Sequence, residues 1–261
     1  MQSSNRQYFL GMLEAIHGKR LSMRVFVNKM RKQLAINDAY ITSPEVPCEA
    51  KATLNCFDAI EGCGRSLCFI APHWGNYAMS FERIAFSLPQ DSRFIALRAN
   101  QWGEKEDAFW RRINTRSGRA DFVKVFRADE KRNMISLLRD MKQGAHLFAL
   151  FDLFAEFGET SPVNIFGNEV NLTMGWSKLC YMADAVVISV APVSLEREEI
   201  QIFDVVDPRE FRNRDEFVRR CTVIARRSLE GLLREQPAFW FMWEHWEKYQ
   251  ARAIDRKQPV E

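Results

Sequence analysis

The sequence predicts an α/β protein in which helices flank a mostly parallel central sheet. Short apolar runs, typical of buried parallel strands, recur along the chain, for example at 67–71 and 146–151. Between them lie stretches whose apolar residues are three to four positions apart, the period of amphipathic helices. Strands and helices that alternate in this way are typical of a layered fold with parallel strands.

The first part of the chain predicts helix rather than strand. Apolar residues continue at helical spacing through 6–36, and a loop containing Pro44 and Pro47 is predicted at 40–50. We therefore expect residues 1–50 to form a helical segment that packs on the core, and residues 51–261 to form one α/β domain.

Strands and helices alternate through most of the rest of the chain. The predicted helices are 77–88, 104–116, 131–142, 176–183 and 214–234, and the predicted strands are 67–71, 94–97, 122–126, 146–151, 185–193 and 200–206. We expect the last two strands to pair with each other antiparallel. Residues 155–175 are predicted to be loop-rich, because they include Gly158, Pro162 and Gly167.

Composition excludes several classes of protein. A net charge of +3 is too small to indicate a nucleic-acid partner. No stretch approaches the roughly 18 uninterrupted apolar residues that a membrane span needs. The six cysteines show no C-x-x-C spacing, which favours free thiols in a reducing compartment. We therefore expect a cytoplasmic protein, either soluble or peripheral on a membrane.

The most informative segment is the turn after the first strand, Pro72-His-Trp-Gly-Asn76. It places His73 where a buried strand ends and a helix begins, and ligands of open α/β sheets bind beyond the carboxyl ends of the strands. Gly75 permits close approach of a substrate, and backbone N–H groups at the helix start can hold an oxyanion. A histidine that only caps the helix is the alternative interpretation of this pattern.

Motifs of other enzyme classes are absent from the sequence. There is no Gly-x-Ser-x-Gly elbow, no dinucleotide fingerprint and no P-loop. The four histidines show no metal-ligand spacing. We therefore expect no metal and no other cofactor, and His73 is at this point a candidate general base.

The segment His73-x-Gly75-Asn76-Tyr77, following an apolar strand, resembles the first motif of the lysophospholipid acyltransferase superfamily. It is most similar to the branch of lipid A late acyltransferases, and the similarity covers roughly 60–246. Further segments resemble that branch in the same order, namely Arg98–Asn100, 147–152, 163–167, 173–175 and 185–193. The resemblance implies a substrate-binding role for Gly75, Asn76, Arg98, Asn100 and Thr173, and acyl transfer by His73.

One position departs from the pattern of that superfamily. Its signature places an acid five residues after the histidine, and this chain has Ala78 there. Glu82 can take the place of this acid if its side chain reaches back along the helix. It lies four residues after Ala78, and residues four apart share a helix face. Asp152, at the end of another strand, is an equal candidate. In a third interpretation the chain is a catalytically silent relative that binds a lipid or a carrier.

Two further segments bear on partners. Arg111, Arg112 and Arg116 form a basic cluster that can bind a phosphate or an acyl carrier protein, and a solvated basic face is the alternative. The aromatic segment 239–246 resembles the C-terminal motif of the lipid A branch and suits either a bilayer interface or a plug under the sheet.

The sequence therefore predicts an acyltransferase. The expected donor is a thioester of acyl carrier protein or coenzyme A, and the expected acceptor is a hydroxyl or amine on a lipid or small molecule. The chain shows no N-terminal hydrophobic anchor of the kind found in lipid A acyltransferases. The acceptor can therefore be an intermediate of natural-product assembly as well as a glycolipid. Aminoacyl transfer and thioester hydrolysis at the same site are alternative reactions.

Overall fold

The computed structural model describes residues 22–42, 64–98, 104–127, 131–154, 158–192, 200–246 and 248–249, together with residue 14. The strands are β1 (Leu67–Ala71), β2 (Phe94–Arg98), β3 (Val123–Arg127), β4 (His146–Leu150), β5 (Thr160–Ile165), β6 (Asn168–Thr173), β7 (Val186–Pro192) and β8 (Ile200–Val206). The helices are α1 (Met23–Thr42), α2 (Tyr77–Ser87), α3 (Glu104–Ser117), α4 (Lys131–Lys142), α5 (Gly175–Ala183) and α6 (Arg214–Glu235), with short 3₁₀ turns at Pro208–Glu210, Pro237–Phe239 and Phe241–His245.

The central sheet has six strands in the order β3-β2-β4-β1-β7-β8. All neighbouring strands pair in parallel except β7 and β8, which are antiparallel. The predicted α/β class with a mostly parallel sheet is thereby confirmed, as is the antiparallel last pair.

Helices cover both faces of the sheet, and β1 shows this residue by residue. Its alternate residues Cys68 and Ile70 join a core that contains apolar residues of α4, α5 and α6. Phe69 and Ala71 point to the other side and join the apolar residues of α2 and α3. Because both faces are covered, every residue of β1 is buried, which explains the continuous apolar run in the sequence.

The region 158–173 differs from the prediction. Instead of a loop, β5 and β6 form an antiparallel hairpin outside the main sheet. The connecting residues Phe166 and Gly167 both have positive φ, +48° and +82°, as a two-residue type I′ turn requires. Phenylalanine is rare at the first of these positions, so that the turn signal in the sequence was weak. Pro162 is tolerated because β5 has only one neighbouring strand.

The N-terminal segment also differs in detail. Helix α1 continues through Thr42, so the loop predicted from residue 40 begins no earlier than residue 43, and residues 43–50 lie outside the described part. Helix α1 packs against α2, α3 and the Pro237–Phe239 turn. None of the helices in the described ranges combines the length and the apolar character that a bilayer crossing demands.

Candidate active site

His73 and Asp152 meet at the carboxyl ends of the two neighbouring strands β1 and β4. The register of these strands places Ala71 opposite Leu150, and the ladder continues through a hydrogen bond from the N–H of Phe151 to the carbonyl of Ala71, 3.1 Å long. Each of these two residues follows the last residue of its strand by two positions. Parallel pairing in this register therefore brings the two side chains together.

Two hydrogen bonds join the pair. The Asp152 Oδ1 lies 2.8 Å from His73 Nδ1, and the backbone N–H of His73 donates to Oδ2 over the same distance. Because an ionised carboxylate only accepts hydrogen bonds, this contact places the proton of a neutral imidazole on Nδ1, and Nε2 then carries the lone pair. Among the described residues no hydrogen bond reaches Nε2. His73 is therefore held in the tautomer that a general base requires.

The aromatic C-terminal segment supplies the remaining partners of Asp152, which is fully buried. The indole N–H of Trp240 donates to Oδ2 over 2.7 Å, and the hydroxyl of Tyr249 donates to the backbone carbonyl of Asp152. Burial, and secondarily the charge of Asp152, raises the pKa of Tyr249 well above its usual value, so this hydroxyl keeps its proton. A buried carboxylate needs such donors to offset the loss of hydration.

The segment 239–241 fixes the turn that carries His73. The N–H of Gly75 donates to the Phe239 carbonyl (2.9 Å), and the N–H of Phe241 donates to the His73 carbonyl (3.0 Å). Gly75 has a φ of +54°, which glycine adopts at little cost. Since the Gly75 amide is engaged within the fold, the expectation that it binds a substrate or an oxyanion is not supported by its geometry.

The start of α2 contains two residues with clear local roles. Asn76 caps this helix, since its Oδ1 accepts from the N–H of Met79 over 3.1 Å. The side chain predicted to bind substrate therefore stabilises the first turn of α2. Ala78, which occupies the position of the superfamily acid, is buried and apolar, and its N–H lies in the turn where helical amides lack an intrahelical acceptor.

Glu82 lies in a different environment from the one expected for an acid that supports His73. Its Oε2 accepts from the Tyr40 hydroxyl over 2.7 Å, and its Oε1 forms an ion pair with Arg116. Arg112 approaches Oε2 to 3.9 Å. Both carboxylate oxygens are thus engaged by α1 and α3, and the carboxylate that contacts His73 is that of Asp152.

The basic cluster predicted on α3 divides into an exposed and an engaged part. Arg111 is exposed. Arg112 donates to the Tyr40 carbonyl over 3.0 Å, and Arg116 pairs with Glu82 and lies over the ring of Phe86. The guanidinium groups of Arg112 and Arg116 therefore hold α3 against its neighbours, although Arg116, like Arg111, is exposed.

The other predicted substrate-binding residues are only partly described. Thr173 is buried at the end of β6, and its hydroxyl donates to the Phe151 carbonyl over 3.0 Å, next to Asp152. Arg98 ends β2, two strands from β1 in the sheet, and its side chain lies outside the described residues. Asn100 also lies outside them.

Sequence reasoning missed the aromatic and basic residues that surround the imidazole. The ring of Tyr77 lies edge-on to His73 with centroids 5.3 Å apart, and Phe241 packs on Tyr77 at 6.2 Å. Burial lowers the pKa of His245, with smaller contributions from Lys248 and from His73, while Glu244 opposes this effect. For Tyr77 the sequence signal was its place in the motif after β1, and for Phe241 and His245 it was the density of aromatic residues at 239–246, which form the plug and are mostly buried.

No model of a known protein family matches the chain. No curated protein shows significant similarity to it.

Proposed function

We propose that this protein is an acyltransferase in which His73 is the general base and Asp152 is the residue that orients it. The observation that carries the proposal is the 2.8 Å contact between His73 Nδ1 and Asp152 Oδ1 at the carboxyl edge of a parallel sheet. The ordered motifs that resemble those of the lysophospholipid acyltransferase superfamily support acyl transfer over other uses of such a pair. On this proposal the fold is a variant of that of the superfamily.

The chemistry follows from the tautomer of His73. Its Nε2 takes the proton from the hydroxyl or amine of the acceptor as the oxygen or nitrogen attacks the thioester carbonyl. The imidazolium formed is stabilised by the Asp152 carboxylate. Collapse of the tetrahedral intermediate breaks the carbon–sulfur bond, and the thiolate leaves with the proton that His73 returns.

A carboxylate from a second strand replaces the one missing at Ala78. The superfamily signature places its acid five residues after the histidine, whereas Asp152 follows β4 by two residues and reaches Nδ1 of His73 from there. The contact is within the range that a catalytic dyad needs, about 2.6–3.2 Å. This geometry favours an active enzyme over a silent relative that only binds lipid or carrier.

The proposal extends to partners and location. The donor is an acyl thioester of coenzyme A or of acyl carrier protein, and the acceptor is a lipid or small molecule with a hydroxyl or amine. Both donors are found in the cytoplasm, where we place the protein, with peripheral contact to the inner membrane if the acceptor is a lipid.

The test compares wild type with His73→Ala. Decanoyl-CoA and decanoyl acyl carrier protein serve as donors, and glycerol, glucosamine and ethanolamine serve as acceptors, with thiol release and acylated product measured separately. We expect transfer to fall by a factor of about 10³ or more, as for the loss of a general base in comparable sites. His146→Gln, at the opposite end of the sheet, is the matched control and keeps its activity. Equal transfer by wild type and His73→Ala would contradict the assignment of His73 as the general base. Thiol release without acylated product would indicate a thioesterase.

A further inference from the structure

Helix α1 lies along the edge of the sheet that carries His73. Near its start, the ring of Phe26 packs edge-on against Trp243, with centroids 6.3 Å apart. Near its end, the hydroxyl of Tyr40 donates to Glu82 on α2. The helix therefore bridges the aromatic C-terminal segment and the second half of α2.

Between these two contacts, α1 packs against elements that adjoin the turn that holds His73. It packs against the Pro237–Phe239 turn, whose last residue accepts a hydrogen bond from Gly75, and against α2, which begins at Tyr77. The middle of α1 thus has a face that is buried against elements flanking the 73–78 segment.

Two amide side chains occupy the centre of this buried face. Gln33 and Asn37 are one helical turn apart and only 5% and 1% exposed. At about 100° per residue they lie in line with Phe26 and Tyr40, the two ends of the same stripe. Their Oε1 and Oδ1 atoms are buried and find no hydrogen-bond partner in the described residues.

Such a pair is unfavourable in a helix interface that serves packing alone. A buried carbonyl without a donor costs about 1–3 kcal/mol, whereas apolar side chains of similar size add to the core. Buried polar groups without a partner are uncommon and call for an explanation, and departures of this kind concentrate at functional sites.

We propose that Gln33 and Asn37 bind the acceptor substrate, by accepting hydrogen bonds from its O–H or N–H groups. This inference rests on the proposed function, since it places a nucleophile-bearing molecule between α1 and His73. Two carbonyl oxygens from residues one helical turn apart select a ligand with more than one donor, as in a sugar, a polyol or an amino alcohol. The acyl chain and the thioester carbonyl carry no donor and cannot satisfy them.

The test uses apolar side chains of similar size, Gln33→Met and Asn37→Leu, with Asn28→Leu as the matched control. Asn28 lies on the same helix with its side chain exposed. With decanoyl-CoA as donor and glucosamine as acceptor, we expect the KM for glucosamine to rise about fivefold in each variant, since each loses one hydrogen bond worth about 1 kcal/mol. The KM for decanoyl-CoA and the rate of its hydrolysis stay at the wild-type values, and Asn28→Leu changes none of these.

Thermal unfolding gives a second, independent measurement. Removal of an unsatisfied buried carbonyl leaves the melting temperature of Gln33→Met and Asn37→Leu equal to or above that of wild type. If the KM for glucosamine is unchanged, or if the KM for decanoyl-CoA rises instead, the inference is wrong while the proposed function stands. A fall in the melting temperature with unchanged kinetics would show a structural role, which also overturns it.

If no thioester turns over at all, the proposed function fails and the amides are tested by binding alone. Glucosamine and glycerol then raise the melting temperature of wild type and of Asn28→Leu but not that of Gln33→Met or Asn37→Leu. Equal shifts in all four proteins would contradict the inference. If Asn37→Leu does not fold, Asn37→Ala replaces it.

Discussion

At the scale of single residues, Asp152 needs several hydrogen-bond donors, because its carboxylate is fully buried and has lost its hydration. The backbone and ring of His73 supply two of them, and the indole of Trp240 supplies a third. The same contacts that make the burial tolerable also fix the carboxylate in the position where it orients the imidazole.

Trp240→Phe removes one of these donors and keeps most of the ring. We expect a loss of about 2–3 kcal/mol in the free energy of unfolding, the range for hydrogen bonds to charged groups together with the lost ring volume. On the proposed function, transfer by the folded protein falls as well, because the carboxylate is less firmly held. Urea unfolding and steady-state kinetics measure the two effects.

Trp243→Phe is the control for that substitution. The Trp243 indole also donates while buried, but its acceptor is the neutral carbonyl of Pro237, 2.6 Å away. We expect a smaller loss of stability, about 1 kcal/mol for a bond between neutral groups, and unchanged kcat. Equal losses of activity in both variants would show that the aromatic plug acts through packing alone.

His146 predicts a pH dependence of stability that is separate from catalysis. Burial lowers its pKa to about 4, against a smaller opposite effect of Asp91, and its Nδ1 accepts from the N–H of Leu67 over 3.1 Å. Between pH 4 and 6.5 the unfolded chain therefore binds a proton that the folded protein does not. The contribution of neutral His146 to the free energy of unfolding is present in full above pH 6.5. It is lost as the pH falls toward 4, by up to about 3 kcal/mol.

Urea unfolding of wild type and His146→Gln between pH 7.5 and 4.5 measures this effect. Glutamine keeps an acceptor for Leu67 and does not titrate, so the variant should lose less stability on acidification than wild type. The same pH dependence in both proteins would show that other groups carry the effect.

At the scale of elements, the 73–76 turn joins β1 to α2 and is closed by the C-terminal segment. The positive φ of Gly75 serves this closure, and a Cβ atom there would lie 3.2 Å from the Pro192 ring. The turn thus depends on the absence of a side chain at one position and on two backbone hydrogen bonds to the segment 239–241.

Gly75→Ala is expected to lower both stability and activity. A residue with a Cβ atom in the left-handed backbone conformation lowers the free energy of unfolding by about 1–2 kcal/mol. The close contact of this Cβ with Pro192 also displaces the turn that carries His73. Gly118→Ala is the matched control, since Gly118 also has positive φ but open space around it. It should lose stability alone, and a loss of kcat of equal size in both variants would contradict a specific role of the turn.

The elements that the sequence predicted well are those with a strong periodic signal. The buried strands β1 and β4 and the helix α4 lie where the apolar patterns placed them, with bounds that differ by no more than one residue. The hairpin of β5 and β6 was missed because its turn uses Phe166 in place of the usual residues of a type I′ turn.

At the scale of the whole molecule, the partner of His73 depends on strand order, which the sequence does not contain. Glu82 and Asp152 were equal candidates from the sequence. Two other strands lie between β1 and β4 along the chain, so the sequence does not show that β1 and β4 are neighbours in the sheet. The structure makes β1 and β4 neighbours and brings residues 73 and 152 into register. The packing of α1 and α3 on α2 likewise engages Glu82 with Tyr40 and Arg116.

The same argument explains why Trp240 and Tyr249 could not be predicted as partners of Asp152. Their contacts join the end of the chain to the middle of the sheet, over separations of 88 and 97 residues. No local pattern encodes such a contact. The aromatic density of 239–246 predicted a buried plug as one of two outcomes, and the burial of Trp240, Trp243 and Trp246 agrees with it.

The most direct measurement is kcat for thioester-dependent transfer by Asp152→Asn and by Glu82→Gln. Asparagine keeps the size of Asp152 but does not stabilise the imidazolium, so we predict a loss of about 10³–10⁴ in kcat with the fold retained. Glu82→Gln weakens a buried ion pair, which lowers the melting temperature, yet the folded enzyme keeps kcat near the wild-type value. Turnover near the wild-type rate in Asp152→Asn, or an equal loss in Glu82→Gln, would contradict the assignment of Asp152 as the partner of His73.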